Sequence, residues 1–267
     1  MGTEIEYLVV TTGRENMDFL QDMNIKGKTV VTNQSNHYSI DSCENAIMVT
    51  TPTKGVGVNR NLGLSLAKSD YLFIVDDDMV FYDNANEVIE SALKVHSDAD
   101  IIIFNFDYVK DNKVVRPRMK KAGSINIHNC LNYGICCTLV KNTTIQKHNT
   151  TFSTLFGGGC IYSCGEDSLF FLECVRNGLR IYTYLEPVGR NEYRESSWFT
   201  GYNEKFFFDK GAWIACAFKR MKHLMKWYFV FRLHRFSELS IGTIVHQINA
   251  GIKGFEHMEV YNEEKTK

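Results

Sequence analysis

Proline and long apolar runs are both scarce in this chain. Only 3 of its 267 residues are proline, and no apolar stretch approaches the ~20 residues that a bilayer-spanning helix needs. Apolar residues make up 44% and charged residues 23% of the sequence, an ordinary globular balance. These values exclude a disordered or collagen-like chain and favour one large domain, or one domain with an appendage.

The cysteine and histidine spacing that is typical of zinc sites is also absent. The chain has eight cysteines, but none forms a C-x-x-C pair and no histidines cluster beside them. This spacing argues against a structural zinc site. The sequence begins Met1-Gly2-Thr3-Glu4, without a charged-then-apolar leader. We therefore expect reduced thiols and a cytoplasmic protein.

Charge of one sign is not in excess, because the net charge is −1. This excludes a generic nucleic-acid-binding protein. The average hides an asymmetry. Residues 210–267 hold ten Lys/Arg and five Asp/Glu, whereas residues 1–209 hold 20 basic and 26 acidic side chains. An acidic body with a basic C-terminal region is therefore expected.

Apolar strand patterns alternate with helical patterns along the first half of the chain. Strands are predicted at 5–11, 29–32, 46–50, 71–75 and 100–108, and helices at 17–23, 58–68 and 84–96. This alternation predicts an α/β fold with a Rossmann-like, mainly parallel central sheet flanked by helices. Further on the alternation weakens. Strands are predicted at 114–119 and 135–140, and a helix at 165–177.

Three consecutive aspartates, Asp76, Asp77 and Asp78, end the apolar strand at 71–75. In open α/β sheets, ligands bind outside the carboxyl ends of the strands. Adjacent carboxylates repel one another unless a cation neutralises them, and Mg²⁺ is usually held by one or two carboxylates plus substrate phosphate oxygens. The triplet thus indicates a metal-bridged phosphate ligand. An acidic turn or a helix cap is the alternative.

Two more segments complete a pattern around the triplet. Residues 57–63 (GVNRNLG) precede the aspartate-bearing strand, and residues 165–170 (GEDSLF) follow downstream. In this order they resemble the Arg-Asn helix, the D-x-D motif and the E-D motif of the family 2 glycosyltransferases of GT-A fold. The resemblance spans about residues 5 to 180 and is to the small, single-domain type that builds cell-surface polysaccharides.

The resemblance implies a role for each matching residue. Asp76 and Asp77 would contact a nucleotide-sugar, and Arg60 would lie near its nucleotide or diphosphate. Asp78, together with Asp76, would hold Mn²⁺ or Mg²⁺ against the diphosphate. Asp167 would be the catalytic base, which implies an inverting hexosyltransferase.

The loops after the first two strands supply the remaining donor contacts. Thr11, Thr12, Arg14 and Asn33 are the candidates. These loops lack the family's usual proline and aromatic after the first strand and its D-x-S-x-D segment after the second. The base of the donor nucleotide therefore stays undetermined. A UDP-sugar is the expected donor. The Q-x-x-R-W motif of processive synthases is also absent.

Glu166 is a second catalytic candidate with an alternative explanation. Residues 163–166 (SCGE) fit a capping box, in which the glutamate returns to the first amide of the helix. Asp167 is not needed by that box, although an acid in a first helical turn is also favoured by the helix dipole. Farther along, Arg190, Arg194 or Trp198 are candidates for a loop that closes over the donor.

The basic C-terminal region is predicted to be an amphipathic helix over residues 210–236. Ile214, Phe218, Met221, Met225 and Tyr228 recur at helical spacing. Such a helix suits the interface of an anionic membrane at its cytoplasmic face, or it packs on the catalytic body. The first alternative implies an acceptor glycan on a lipid carrier.

The domain prediction is a glycosyltransferase domain over 1–209, with a donor half at about 1–110 and an acceptor half at about 111–209, followed by the helical appendage 210–267. Two other function classes stay open. One is a nucleotidyltransferase that makes the sugar nucleotide; the other is a non-catalytic nucleotide- or glycan-binding module. An oligomer is compatible with either.

Overall fold

The computed structural model describes residues 4–193 and 199–258. The chain divides into two compact units, Met1–Ser153 with Asp167–Arg194, and Thr154–Glu166 with Glu195–Lys267. The segment 154–166 groups with the C-terminal helices, and the domain boundary expected after residue 209 stays a prediction. Within the described ranges, no helix has the length and apolar character that crossing a membrane requires.

The first unit is built on an eleven-stranded sheet. Its strands are β1 Ile5–Thr12, β2 Lys28–Gln34, β3 Ser39–Ser42, β4 Ala46–Thr51, β5 Tyr71–Asp76, β6 Met79–Phe81, β7 Ile101–Lys110, β8 Lys113–Pro117, β9 Gly123–Ile125, β10 Thr138–Lys141 and β11 Ile181–Glu192. The order is β3-β4-β2-β1-β5-β10-β7-β11-β6, with β8 on β7 and β9 on β11. The run β4-β2-β1-β5 is parallel throughout, as is the β7–β11 pair. The predicted α/β class with a mainly parallel central sheet is confirmed.

Eight α-helices accompany the strands within the described ranges. They are α1 Phe19–Asp22, α2 Val56–Leu66, α3 Ala85–Val95, α4 Asn142–Lys147, α5 Glu166–Arg176, α6 Glu204–Ala217, α7 Lys222–Leu233 and α8 Ile241–His257. The predicted helices at 58–68, 84–96 and 165–177 correspond to α2, α3 and α5. Strand β11 went unpredicted, because its two bulges, on either side of Pro187, interrupt the alternation that marks a strand.

Apolar residues on the central strands build the core of the first unit. The rings of Tyr7, Phe73, Phe81 and Phe104 pack with centroids 5.3–5.6 Å apart. Because β1 and β5 are covered on both faces, their sequences read as continuous apolar runs. Both strands therefore end rigidly at the same edge of the sheet.

Helix α2 lies unusually close to the chain at Ser153. A Cβ on Gly57 would stand 2.0 Å from the Ser153 carbonyl oxygen, so glycine is required for this approach. One turn along, Asn61 exchanges two hydrogen bonds with the Phe152 backbone, at 2.9 and 2.8 Å. These two hydrogen bonds fix α2 in position against the chain at residues 152–153.

The basic segment in the second unit is not one continuous helix. Helix α6 ends at Ala217, residues 219–221 form a 3₁₀ turn, and α7 begins at Lys222. Ile214 is fully buried, whereas Met221 is 54% exposed. The predicted apolar face is therefore divided between two helices in different environments.

Candidate active site

Asp76 ends β5 beside the end of β1, and Asp77 and Asp78 form the turn to β6. Arg60 reaches the triplet from α2 with a side chain that is only 6% exposed. Its guanidinium lies 3.5 Å from Asp76 Oδ1 and 2.8 Å from Asp167 Oδ1. A single buried cation thus joins the triplet to the start of α5, across 107 residues of sequence.

Asp167 is held by more than Arg60. Its Oδ2 accepts a hydrogen bond from the Ile135 amide at 3.1 Å, and a Cβ on Gly134 would stand 3.2 Å from the same oxygen. The side chain remains 27% exposed. Since each carboxylate oxygen has two lone pairs, Asp167 is fixed in orientation yet can still accept another proton donor.

Negative charge is in excess around Asp76. Desolvation raises the pKa of the Asp76 carboxyl above its usual range; Arg60 opposes this, and the charges of Asp167 and Asp78 add to it. One guanidinium therefore does not balance three carboxylates. A bound cation at this position would relieve the imbalance.

Asp77 is held by the loop after β1. Its Oδ2 accepts hydrogen bonds from the Thr11 hydroxyl at 2.6 Å and from two Arg14 nitrogens at 3.0 and 2.8 Å. Asn33 is fully buried and bonds both the amide and the carbonyl of Arg14. Two of the predicted donor residues, Thr11 and Arg14, thus meet around the carboxylate of a third, Asp77, and Asn33 supports the loop that carries Arg14. Thr12 is exposed beside them.

The aspartate triplet is suited to a metal ion that a bound nucleotide-sugar would also coordinate. Asp78 is exposed, and its Oδ1 accepts a hydrogen bond from Asn191 at 2.8 Å. In the part of the chain that the structure describes, no group of three or more His, Cys, Asp or Glu side chains is arranged to hold a metal. Carboxylate oxygens such as those of Asp76 and Asp78 are the hard ligands that Mg²⁺ and Mn²⁺ prefer, and either ion would need further oxygen ligands from a substrate or water.

The predicted capping box at Ser163 is wrong. The Ser163 amide and hydroxyl both donate to Asp209, at 3.0 and 2.6 Å. Glu166 Oε2 instead accepts from the Gly165 amide at 3.1 Å. Asp209 is buried and draws the serine away from the helix start, so the carboxylate of Glu166 is engaged locally in the second unit.

The closing-loop candidates are only partly described. Arg194 and Trp198 lie outside the described residues. Arg190 is exposed on β11, paired in register with Val80 of β6 and Asp107 of β7.

A cavity of about 320 Å³ opens beside Asp76 and Asp167. Two arginines that carry no recognised motif, Arg116 and Arg118, line it together with Tyr108 and Cys136. The spacing Arg-x-Arg in a predicted strand was the available signal, because alternate residues share one face of a strand. Arg118 donates to three backbone carbonyls, those of Phe104, Cys136 and Gly134.

Solved structures of a Staphylococcus aureus protein share this fold. The structure of S. aureus TarS 1–349 in complex with UDP-GlcNAc matches with a TM-score of 0.60 at 12% identity, covering 97% of this chain and 93% of that chain. The complex of TarS 1–349 with UDP matches with a TM-score of 0.58 at 16% identity, covering 98% and 77%. The fold is therefore that of the GT-A glycosyltransferases.

The family follows from the sequence itself. Residues 31–162, about half of the chain, match the family model described as glycosyl transferase family 2. This span includes Arg60 and the aspartate triplet. The chain belongs to glycosyl transferase family 2 and is a glycosyltransferase. Among curated proteins, no sequence matches it significantly.

Proposed function

We propose that this protein transfers a hexose from a UDP-sugar to a hydroxyl of a glycan acceptor, with inversion and with Mn²⁺ or Mg²⁺. The observation that carries the proposal is the Arg60 bridge, which links Asp76 at 3.5 Å and Asp167 at 2.8 Å. It brings a candidate phosphate-binding turn and a candidate base into one site. The UDP and UDP-GlcNAc complexes of TarS support the choice of donor nucleotide.

Each residue has a distinct task in the proposed reaction. Asp76 and Asp78 would hold the metal, which supplies Lewis-acid stabilisation to the leaving diphosphate. Asp167 accepts the proton of the acceptor hydroxyl as that oxygen attacks the anomeric carbon. Arg60 positions Asp167 and limits repulsion between it and Asp76. One displacement with one base inverts the anomeric configuration.

Thr11, Thr12, Arg14 and Asp77 would bind the nucleotide. Asp77 holds the Arg14 guanidinium, and the same guanidinium lies 4.6 Å from the Phe19 ring centroid. A planar cation restrained in this way needs little further ordering to meet a ribose, base or phosphate. Asn33 contributes by fixing the Arg14 backbone.

A donor screen tests the proposed activity. Wild-type protein is melted with a panel of nucleotide-sugars in the presence of Mn²⁺ and, as a matched control, of EDTA. A ligand at 100 times its Kd stabilises by about 2.7 kcal/mol, so UDP-sugars should raise the Tm only with metal. No metal-dependent shift with any nucleotide-sugar would refute the proposal. Pyrophosphate release from UTP and a sugar 1-phosphate would instead favour the nucleotidyltransferase.

We also propose that the second unit binds an anionic membrane and that the acceptor is carried on a lipid in cell-surface polysaccharide synthesis. Leu224, Trp227, Tyr228 and Phe231 share one face of α7 and are 65%, 44%, 48% and 63% exposed. Aromatic and aliphatic side chains in this arrangement suit the headgroup region.

Positive charge flanks this exposed face of α7. Lys219, Arg220 and Arg235 are exposed, and Arg232 donates to the Tyr228 hydroxyl at 2.6 Å. By contrast Lys222 pairs with Glu256 and Lys226 bonds Asn249. The exposed cations complement anionic lipid, each contributing about 1 kcal/mol near the surface.

The membrane proposal predicts a loss of vesicle binding when the α7 face is made acidic. Leu224→Glu with Phe231→Glu should weaken binding to phosphatidylglycerol vesicles by at least about 10-fold, because both apolar burial and charge attraction are lost. Vesicle co-sedimentation measures this. The control is Val95→Glu, at a position that is 66% exposed on α3. Equal binding by the double variant and the control would show that α7 does not face lipid.

A further inference from the structure

A β-hairpin contributes to the lining of the cavity that Asp76 and Asp167 also line. Strands β7 and β8 pair with Tyr108 opposite Arg116, and the Arg118 amide continues the pairing by donating to the Phe106 carbonyl at 2.8 Å. All four side chains line the cavity. The hairpin therefore presents two neighbouring arginine–aromatic pairs to the same space as Asp76 and Asp167.

The two arginines are used differently. Arg118 has a structural role, since its guanidinium donates hydrogen bonds to the carbonyls of Phe104, Cys136 and Gly134. Arg116 is exposed and its guanidinium lies over the Tyr108 and Tyr193 rings, 4.4 and 5.7 Å from their centroids. Stacking on ring faces restrains a guanidinium but leaves its in-plane N–H donors available.

Arg116 also has no counter-ion among the described residues. The salt bridges around the cavity pair Arg60 with Asp76 and Asp167, and none includes Arg116 or Arg118. An arginine with five planar donors, restrained by two rings and unpaired in charge, is well prepared for bidentate binding of a phosphate or carboxylate.

We propose that Arg116 binds an anionic group, a phosphate or a carboxylate, on the acceptor substrate. Naming that ligand the acceptor rests on the proposed function. The cavity is lined by Asp167, the candidate base, and by Asp76, one of the two ligands proposed for the donor's metal; Asp78, the other proposed ligand, does not line it. We assign an anion beside Arg116 to the molecule whose hydroxyl Asp167 deprotonates, and the effect of the variant on UDP affinity tests this assignment against the donor. Arg116 is a specificity-determining residue that selects charged acceptors over neutral ones.

Binding of three small probes tests this inference without requiring turnover. Glucose 6-phosphate, glucuronic acid and glucose are titrated into the protein by ligand-observed NMR, with and without UDP and Mn²⁺. Wild type should bind one or both charged sugars in preference to glucose. Comparing glucose 6-phosphate with glucuronic acid then distinguishes a site for phosphate from a site for carboxylate. Arg116→Gln should weaken binding of the preferred charged sugar by about 10-fold or more, with glucose unaffected.

Two variants isolate the role of the guanidinium. Arg116→Lys keeps the charge without the bidentate fork and should give intermediate affinity. Lys113→Ala removes a cation from the same hairpin, outside the cavity lining, and should behave as wild type.

Three outcomes would overturn the inference: a wild type that does not discriminate charged from neutral sugars, an Arg116→Gln variant that binds charged sugars normally, or a variant whose UDP affinity falls instead. The last would assign Arg116 to the donor. UDP binding by wild type is read separately, so a failure of the proposed function is distinguishable from a failure of the Arg116 assignment.

Discussion

Replacing Asp167 with asparagine is expected to lower the rate of sugar transfer by about 10²- to 10⁴-fold, the usual contribution of a general base. Asparagine cannot accept the acceptor proton, yet its amide oxygen can still accept the Ile135 N–H, now 3.1 Å from Asp167 Oδ2. The residues of β1 and β5 proposed to bind the donor are untouched. Transfer should therefore be lost while UDP-sugar binding persists, measured as nucleoside diphosphate release and as donor-induced thermal shift.

The ion pair to Arg60 makes a control necessary for this variant. Arg60 is only 6% exposed, and a buried cation that loses a partner destabilises the fold. Glu173→Gln removes a carboxylate from the same helix without touching the site and should leave transfer unchanged. If Asp167→Asn loses donor binding in proportion to transfer, Asp167 acts by holding Arg60 and not as a base.

Much of this site was predictable because parallel strands end at one edge of a sheet. The run at 71–75 identified β5, so Asp76 was expected at the carboxyl edge of the sheet, where ligands bind; its place beside the end of β1 comes from the structure. The E-D motif then pointed to Asp167. Contact between Arg60 and Asp167 spans 107 residues, and only the order of motifs, not local spacing, indicated it.

The part of the sheet beyond β5 was less predictable because all of its pairings except β7–β11 are antiparallel. Tyr108 and Arg116 face each other only because a short hairpin sets the register of β7 and β8. The same limit applies to the basic segment. Ile214 and Met221 share one helical face in sequence, yet the chain changes direction at Phe218, whose φ of −126° and ψ of 34° are not helical. No glycine or proline marks that break.

Local competition explains the failed capping box as well. The sequence at 163–166 contains the right residue types for a box. A buried carboxylate 46 residues away, Asp209, takes both donors of Ser163. In the box the Ser163 amide would donate to the Glu166 carboxylate; it donates to Asp209 instead, and Glu166 accepts from the Gly165 amide. The tertiary contact therefore replaces the local one.

Asp76→Asn is expected to have effects of opposite sign on activity and on stability. Transfer should fall by about 100-fold or more, because a metal ligand is lost from a step in which the metal is worth several kcal/mol. The ligand-free protein should become more stable at neutral pH. Desolvation raises the pKa of Asp76 in the folded state, Arg60 opposes it, and Asp167 and Asp78 add to it, so keeping this group ionised costs folding free energy.

The sign of the pH dependence follows from proton linkage. A raised folded-state pKa means that the folded protein holds this proton more tightly than the unfolded chain, so ionisation penalises folding as pH rises through that pKa. The advantage of Asp76→Asn should thus be full at neutral pH and shrink towards the ordinary aspartate pKa of about 3.9. Urea unfolding from pH 4.5 to 8, without metal or nucleotide, measures it.

The neighbouring aspartate provides the matched control. Asp77 accepts hydrogen bonds from Thr11 and Arg14, so Asp77→Asn should lower stability slightly, by about 0–1 kcal/mol for a partly exposed pair. Adding Mn²⁺ and UDP should then stabilise wild type but not Asp76→Asn. Without metal, Asp76→Asn could instead prove less stable than wild type at pH 7. That result would mean that the Arg60–Asp76 contact stabilises the fold by more than repulsion among the carboxylates destabilises it. The triplet would then be a structural turn and not a site kept charged for a cation.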